Sequence, residues 1–254
     1  MEKLLAGKVV IVTGGARGIG AETCEVLATH GATVVVNYSS SSVKADSVVA
    51  KVAALGGQAI AVAADVRDEA AITAMVARTI SEFGRVDGVI NNAISGRQDG
   101  TFDSLSDSDF QNMFDFNCLA VARMTRAVRP FMKEQGGGRI VNIVTEIWNM
   151  GPGGWAAYMA GKGAMVGMSR SLAVELGPEN ITVNMIAPGW MATADKVDVT
   201  GEGSLGFAMS LPLRRHGSGH EIGKACVFFL SDLGSYVTGA YLPVTGGRIT
   251  QMGS

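Results

Sequence analysis

Tyr158 and Lys162 stand four residues apart inside 155–176, a segment of helical period, so both side chains project from one helix face. A phenol has a reference pKa of about 10 and is poorly poised for proton transfer near neutrality, but a neighbouring ammonium favours its anion. Such a pair can hold and release a proton at an oxygen. Taken alone, Tyr-x-x-x-Lys reads as well as a half-buried aromatic beside a surface charge.

A second group supplies a setting for the first. Thr13-Gly14-Gly15-Ala16-Arg17-Gly18-Ile19-Gly20 follows the apolar run Val9 to Val12 and opens a helix. Glycines there let the backbone turn tightly and approach a pyrophosphate, whose charge is held by the helix's N–H groups and positive dipole end. The spacing is G-x-x-x-G-x-G, not the commoner G-x-G-x-x-G, and an ordinary tight turn between strand and helix is the other reading. A dinucleotide site commonly places an acidic side chain about 20 residues on to hold ribose hydroxyls. Here Asn37 is neutral, Arg17 lies inside the loop, and Ser39 and Ser40 follow the second strand. A cation and hydroxyl donors can thus converge on a 2′-phosphate, which favours NADP(H) over NAD(H). The alternative leaves Arg17 solvated and Asn37 capping a turn. A cationic nicotinamide near Tyr158 would favour the phenolate further.

These groups need a scaffold, and the chain alternates short β-branched runs with longer segments of helical period, as βαβ units around a covered parallel sheet do. Strands are expected at Val9 to Val12, Thr33 to Asn37, Ala59 to Ala63, Gly88 to Asn91, Arg139 to Ile143, Thr182 to Ile186 and Tyr241 to Val244. Helices are expected near Gly18 to Thr29, Val43 to Leu55, Glu69 to Phe83, Asp107 to Lys133, Trp155 to Leu176 and Glu221 to Leu230. The predicted fold is a single doubly wound Rossmann domain over 1–254, α/β, with a seven-stranded parallel sheet flanked by helices on both faces. Trp190 to Gly219 is the largest irregular stretch and is read as a substrate loop.

Of the 254 residues, 47% are hydrophobic and 17% charged, which excludes intrinsic disorder. Length alone, at about 150 residues per domain, allows one or two domains. Lys and Arg number 21 against 23 Asp and Glu, with no basic run to track a phosphate backbone, so nucleic acid is not an expected partner. Cys24, Cys118 and Cys226 are odd in number and widely spaced, which argues against a disulfide framework or cysteine zinc site and for a reducing compartment. Met1 to Lys8 leads straight into a four-residue apolar run, too short for a signal peptide, and nothing approaches 18 apolar residues. A cytoplasmic protein away from the membrane is expected. His216 and His220 flank Gly-Ser-Gly, which argues against one helix face, and no acidic residue completes a recognisable ligand set in the sequence, so no metal is expected.

Taken together, Thr13-Gly14-x-x-x-Gly18-x-Gly20, Asp65-Val66, Asn91-Asn92-Ala93, Asn117, Tyr158-x-x-x-Lys162, Asn184 and Pro188-Gly189-x-x-x-Thr193 resemble the short-chain dehydrogenase/reductase family. The likeness runs from Lys8 to about Gly247 and leans toward its 3-oxoacyl-[acyl-carrier-protein] reductase-like members. It implies NADP-dependent hydride transfer between nicotinamide, through its pro-S face, and a carbonyl or secondary alcohol, with Tyr158 as general acid/base. Asn117, Thr145, Tyr158 and Lys162 become the catalytic set, with Asn117 holding a water in a proton relay. The resemblance implies that Asp65 contacts the adenine, Asn91 and Ala93 lie along the cofactor, Lys162 binds the nicotinamide ribose and Thr193 meets the carboxamide. With Gly14, Arg17, Gly18, Ile19, Gly20, Asn37, Ser39 and Ser40 of the loop and second strand, and with Val66, Tyr158, Pro188 and Gly189, these make up the expected cofactor-binding set. The resemblance also implies assembly as a homotetramer through the two long central helices.

Thr145 stands where the family usually has a serine, 13 residues before Tyr158, and keeps the hydroxyl that would hold the substrate oxygen. Ile94 replaces a glycine and narrows the expected pocket; Thr245 replaces an aspartate. Glu146 is expected to point outward as a solvated charge, the other reading being that it faces the substrate as a hydrogen-bond acceptor. Trp148, Met150, Trp155, Trp190, Met191, Phe207 and Met209 are expected around the mouth, or in core and subunit contacts. A nucleotide sensor, a lyase or epimerase recycling a tightly held cofactor, and a structural interaction protein are the alternative functions. A sensor could discard the Asn117, Thr145, Tyr158 and Lys162 set, which this chain retains.

Overall fold

The computed structural model describes residues 3–94, 96, 99–193 and 201–248. Residues 194–200 of the expected substrate loop lie outside them. The strands are β1 (Val9–Val12), β2 (Thr33–Tyr38), β3 (Gln58–Ala63), β4 (Gly88–Asn91), β5 (Gly138–Ile143), β6 (Ile181–Pro188), β7 (Met191–Ala192), β8 (Gly217–Ser218) and β9 (Tyr241–Val244). The helices are α1 (Gly18–Thr29), α2 (Ser42–Ala54), α3 (Glu69–Phe83), α4 (Asp107–Phe114), α5 (Ala120–Glu134), α6 (Ala156–Leu176), α7 (Glu202–Ser210) and α8 (Gly219–Leu230).

Seven parallel strands form one sheet in the order β3-β2-β1-β4-β5-β6-β9. The chain winds outward from β1 to β3, then crosses to β4 and winds the other way. This is the doubly wound Rossmann arrangement, and the crevice beside the reversal, between β1 and β4, is where such sheets bind ligands. Every residue of β1 is buried, and the period of two divides them between the sheet's faces. Val10 and Val12 join Leu27 of α1, Val48 of α2 and Phe229 of α8. Val9 and Ile11 join Ile72 of α3, Val128 of α5 and Leu176 of α6. Burial on both faces explains why the strands read as unbroken apolar runs.

The helix ends follow from local chemistry. Asp68 Oδ1 accepts from the N–H of Ala70 at 2.8 Å and starts α3, and Gly84, at φ 73°, ends it. Ser218 and Glu221 form a reciprocal capping box that starts α8.

Two expectations change. The helix predicted over Asp107 to Lys133 is interrupted by a wide π turn at Asp115–Leu119, which turns Asn117 inward. The stretch predicted as irregular contains α7 and the two-stranded β7-β8 ribbon. Its Gly203 and Gly206 are poor helix formers, and α7 buries only Ser204 and Ala208, so it has no apolar stripe to read. Among the described residues no helix is long and apolar enough to cross a membrane.

Candidate active site

The glycine loop leaves β1 at the strand-order reversal and is held from three sides. Thr13 Oγ1 accepts from the N–H groups of Asn92 at 2.9 Å and Ala93 at 3.1 Å. Asn92 Nδ2 donates to the carbonyls of Thr13 at 3.0 Å and Gly14 at 3.2 Å. Asn37 Oδ1 accepts from the Gly14 N–H at 3.2 Å, while its Nδ2 donates to Ala64 O at 2.9 Å. Asn37 is therefore buried and engaged with the loop and the end of β3, whereas Arg17, Ser39 and Ser40 are exposed. Gly14 has φ 62°, and a Cβ on it would lie 2.9 Å from Ala93 Cα. α1 begins at Gly18 with no acidic residue in its first turn, so nothing there opposes an anion at its N-terminus.

Asp65 follows β3 and is fixed by Arg67, whose Nη2 donates to Oδ2 at 2.7 Å; these hydrogen bonds hold the carboxyl below its usual range. Thr13, Val66, Asn91, Ala93 and Phe116 line one small cavity beside the reversal. Asn91 Nδ2 donates to Asn142 Oδ1 at 2.8 Å, and Asn142 Nδ2 to Ser169 Oγ at 2.8 Å, a buried chain from β4 through β5 to α6.

α6 carries both Tyr158 and Lys162. Lys162 is buried, and its Nζ donates to Ile143 O at the end of β5 at 2.7 Å. Burial pushes the ammonium down to about 7, a penalty of a few kcal/mol. Nζ lies 6.0 Å from the centroid of the Tyr158 ring, and Tyr158 meets Trp155 edge-on at 5.8 Å. In the π turn, Asn117 Nδ2 donates to Met113 O at 2.7 Å, and Asn117 Oδ1 is buried without a hydrogen-bond partner. Gly161 makes this possible, because a Cβ there would sit 2.7 Å from Met113 O and 3.0 Å from Asn117 Nδ2.

Thr145, two residues past β5, is buried, and Tyr241 of β9 donates its hydroxyl proton to the Thr145 carbonyl at 2.8 Å. Gly189 follows β6 and donates its N–H to Val244 O at 2.9 Å. Thr193 is buried just beyond β7. Asn117, Tyr158, Lys162 and Thr145 are thus carried by the π turn, α6 and the β5 end on the same edge of the sheet as the glycine loop.

Glu146 corrects the expectation of an outward charge. Its side chain is 4% exposed and its Oε1 accepts from Arg248 Nη1 at 2.9 Å. The residues expected around one mouth separate. Trp155 and Ile94 pack with Tyr158; Trp190 and Phe207 pack together at 4.8 Å beside His216; Trp148 lies over Gly163 of α6. Sequence reasoning left Asn92, Gly161, Tyr241 and Arg248 without roles. Of these only Gly161, a glycine between Tyr158 and Lys162 on one helix, carried a visible signal of close approach.

His216 Nε2 lies 2.8 Å from Ser204 Oγ, whereas His220 bridges Glu22 and Glu25 at 3.0 and 3.2 Å. The two histidines face different partners. Among the described residues no cluster of His, Cys, Asp or Glu could hold a metal ion. For a dinucleotide the fit is good: Gly14, Gly15 and Gly20 pack so closely on Ala93, Val12 and the loop itself that no side chain fits there, which leaves the loop backbone bare before the N-terminus of α1, and no acidic residue there opposes a pyrophosphate.

Comparison with known proteins gives concordant results. Residues 14–248 match a family model described as enoyl-(acyl carrier protein) reductase. A 3-oxoacyl-[acyl-carrier-protein] reductase of Synechocystis is 38% identical over 246 residues, covering 96% of this chain and 98% of the relative. Its Escherichia coli namesake is 34% identical over 241 residues, covering 95% and 97%. Among solved structures, a short-chain dehydrogenase from Burkholderia cenocepacia in complex with NADP superposes with a TM-score of 0.88 at 33% identity, covering 96% of this chain and 98% of that one.

Proposed function

Because the chain belongs to the short-chain dehydrogenase/reductase family of oxidoreductases, whose members bind a nicotinamide cofactor, we propose that it is an NADPH-dependent reductase of ketone-type carbonyls. The reverse reaction would oxidise secondary alcohols. The observation that carries this reading is a buried Lys162 anchored to the end of β5 with the Tyr158 ring 6.0 Å from its ammonium, on the sheet edge that holds the glycine loop.

When bound, the nicotinamide supplies hydride to the carbonyl carbon. Tyr158 gives the substrate oxygen its proton as general acid, and Thr145 holds that oxygen through its hydroxyl. Lys162 donates to the nicotinamide ribose and by its charge favours the phenolate. Asn117 holds a water on its unpaired Oδ1, linking Lys162 to solvent. Pro188, Gly189 and Thr193 hold the carboxamide, Asn91 and Ala93 flank the cofactor, and Gly14, Gly18, Ile19 and Gly20 cradle the pyrophosphate. Asp65 and Val66 receive the adenine.

Preference for NADP rests on Arg17, Ser39 and Ser40, all exposed beside the loop, and on the NADP bound by the Burkholderia relative. Asn37 acts through the Gly14 N–H that it holds. We take 1–254 as one domain with its substrate segment at 190–219. It assembles as a homotetramer in a reducing cytoplasm, which suits three free cysteines. We assign the tetramer contact to α4 and α6, a reading supported by the depression that Phe110, Phe114 and Ala160 line.

Thr145 offers the direct test of the reading. With NADPH and a panel of ketones led by a 3-oxoacyl thioester, wild type and Thr145→Ser should oxidise the cofactor at comparable rates. Thr145→Ala should lose about 10²-fold in kcat. Equal rates for wild type and Thr145→Ala would remove this hydroxyl from the mechanism, and tight NADPH binding without any turnover would favour a sensor instead.

A further inference from the structure

The catalytic turn and the substrate helix are joined by a residue that neither contains. Glu146 directly follows Thr145 and opens the 3-10 turn Glu146–Asn149. Its carboxylate is buried; one oxygen accepts from Arg248 at 2.9 Å, and the other has no hydrogen-bond partner. Burial pushes this carboxyl above its usual range and Arg248 pulls it back. Holding a charge pair in such a place is a poor way to gain stability, since well-packed apolar residues often serve as well.

Arg248 has a second contact. Its guanidinium carbon lies 5.1 Å from the centroid of Phe207 on α7, within the range of a cation–π interaction. Phe207 also stacks on His216 at 5.8 Å and 15°, and His216 in turn reaches Ser204 of α7. Otherwise α7 is lightly held: Leu205 is 50% and Met209 55% exposed. The helix is therefore held by the buried Ser204 and Ala208 and by Phe207, whose partners are Trp190, His216 and an arginine bonded to the residue beside the substrate-holding hydroxyl.

We propose that Arg248 is a positioning residue: by bonding Glu146 and covering Phe207, it fixes α7 relative to Thr145 and so sets how tightly substrate is held. This deepens the reductase reading and rests on it for its effect on catalysis, though the tether itself can be measured without substrate.

The experiment compares wild type with Arg248→Lys, Arg248→Met and the double variant Glu146→Gln/Arg248→Met. Its readouts are amide hydrogen exchange over 203–210, melting temperature, and steady-state kinetics with NADPH and the best ketone of the panel. Arg248→Met is expected to speed exchange in α7 and raise KM, each about tenfold, the equivalent of losing one desolvated cation–π contact. In the double variant, where no bare carboxylate is left beside Thr145, kcat should stay within about twofold, because α7 carries none of the reacting groups. Arg248→Lys keeps a cation over the ring and should restore both readouts toward wild type. The double variant leaves no unpaired buried charge, so its melting temperature should recover while exchange and KM stay raised. Recovery of exchange and KM together with melting temperature would overturn the proposal and leave the pair a purely structural one. Unchanged α7 exchange in Arg248→Met would also overturn it. Should wild type turn over no ketone, the reductase reading falls, and the exchange comparison still decides the role of Arg248.

Discussion

Tyr158→Phe is expected to lower turnover by about 10³-fold while leaving folding close to wild type and weakening NADPH by no more than about tenfold, the loss of one hydrogen bond to the cofactor. The substitution removes one oxygen and keeps the ring, which lies among Met113 and Ala157, meets Trp155 edge-on at 5.8 Å and has the Lys162 ammonium 6.0 Å from its centroid. A phenylalanine ring keeps those contacts, so no cavity opens. What disappears is the proton donor, and a positioned general acid contributes about 10² to 10⁴ in rate. Steady-state assays set beside NADPH titration by fluorescence separate the two effects. A variant within tenfold of wild type in kcat would mean that another group protonates the substrate oxygen.

Gly20→Ala is expected to destroy the cofactor site by a different route. A Cβ at this position would run into the Gly14 carbonyl oxygen and lie 2.6 Å from Asn92 Nδ2. The carbonyl belongs to the loop backbone, and the amide is already committed to the Thr13 and Gly14 carbonyls. Neither can yield without moving the loop off β4. Overpacking of this kind costs about 1–3 kcal/mol, and its upper end corresponds to a dinucleotide affinity about 10²-fold weaker. The melting temperature should fall, and NADPH should raise it only at concentrations about 10²-fold higher than wild type needs. Wild-type affinity in Gly20→Ala would show that the cradle is looser than these contacts require.

The sheet was legible because its strands are buried on both faces and stand out as short β-branched runs; β1, β4 and β9 have the bounds that the sequence predicts. α1 and α3 were legible for a complementary reason, with glycines opening one and Asp68 and Gly84 bounding the other. The π turn was not, because one extra residue in a helical turn leaves the apolar period of the surrounding segment nearly intact. α7 was hidden by its glycines and by the lack of a buried stripe. Glu146 was misread since a lone acidic residue after a strand is usually solvated, and its partner Arg248 lies 102 positions away in sequence. Asn37 was legible as a residue near the glycine loop, but whether its amide faces a ligand or the loop depends on the residue just past β3, Ala64, whose carbonyl claims the nitrogen.

The measurement that bears most directly on hydride transfer to a carbonyl at Tyr158 uses NADPH deuterated at the 4S position, a 3-oxoacyl thioester, and mass spectrometry of the product. One deuterium on the new carbinol carbon, with unlabelled oxidised cofactor left behind, is the expected result. An unlabelled alcohol, or label appearing only when an enoyl thioester is reduced at its double bond, would contradict it.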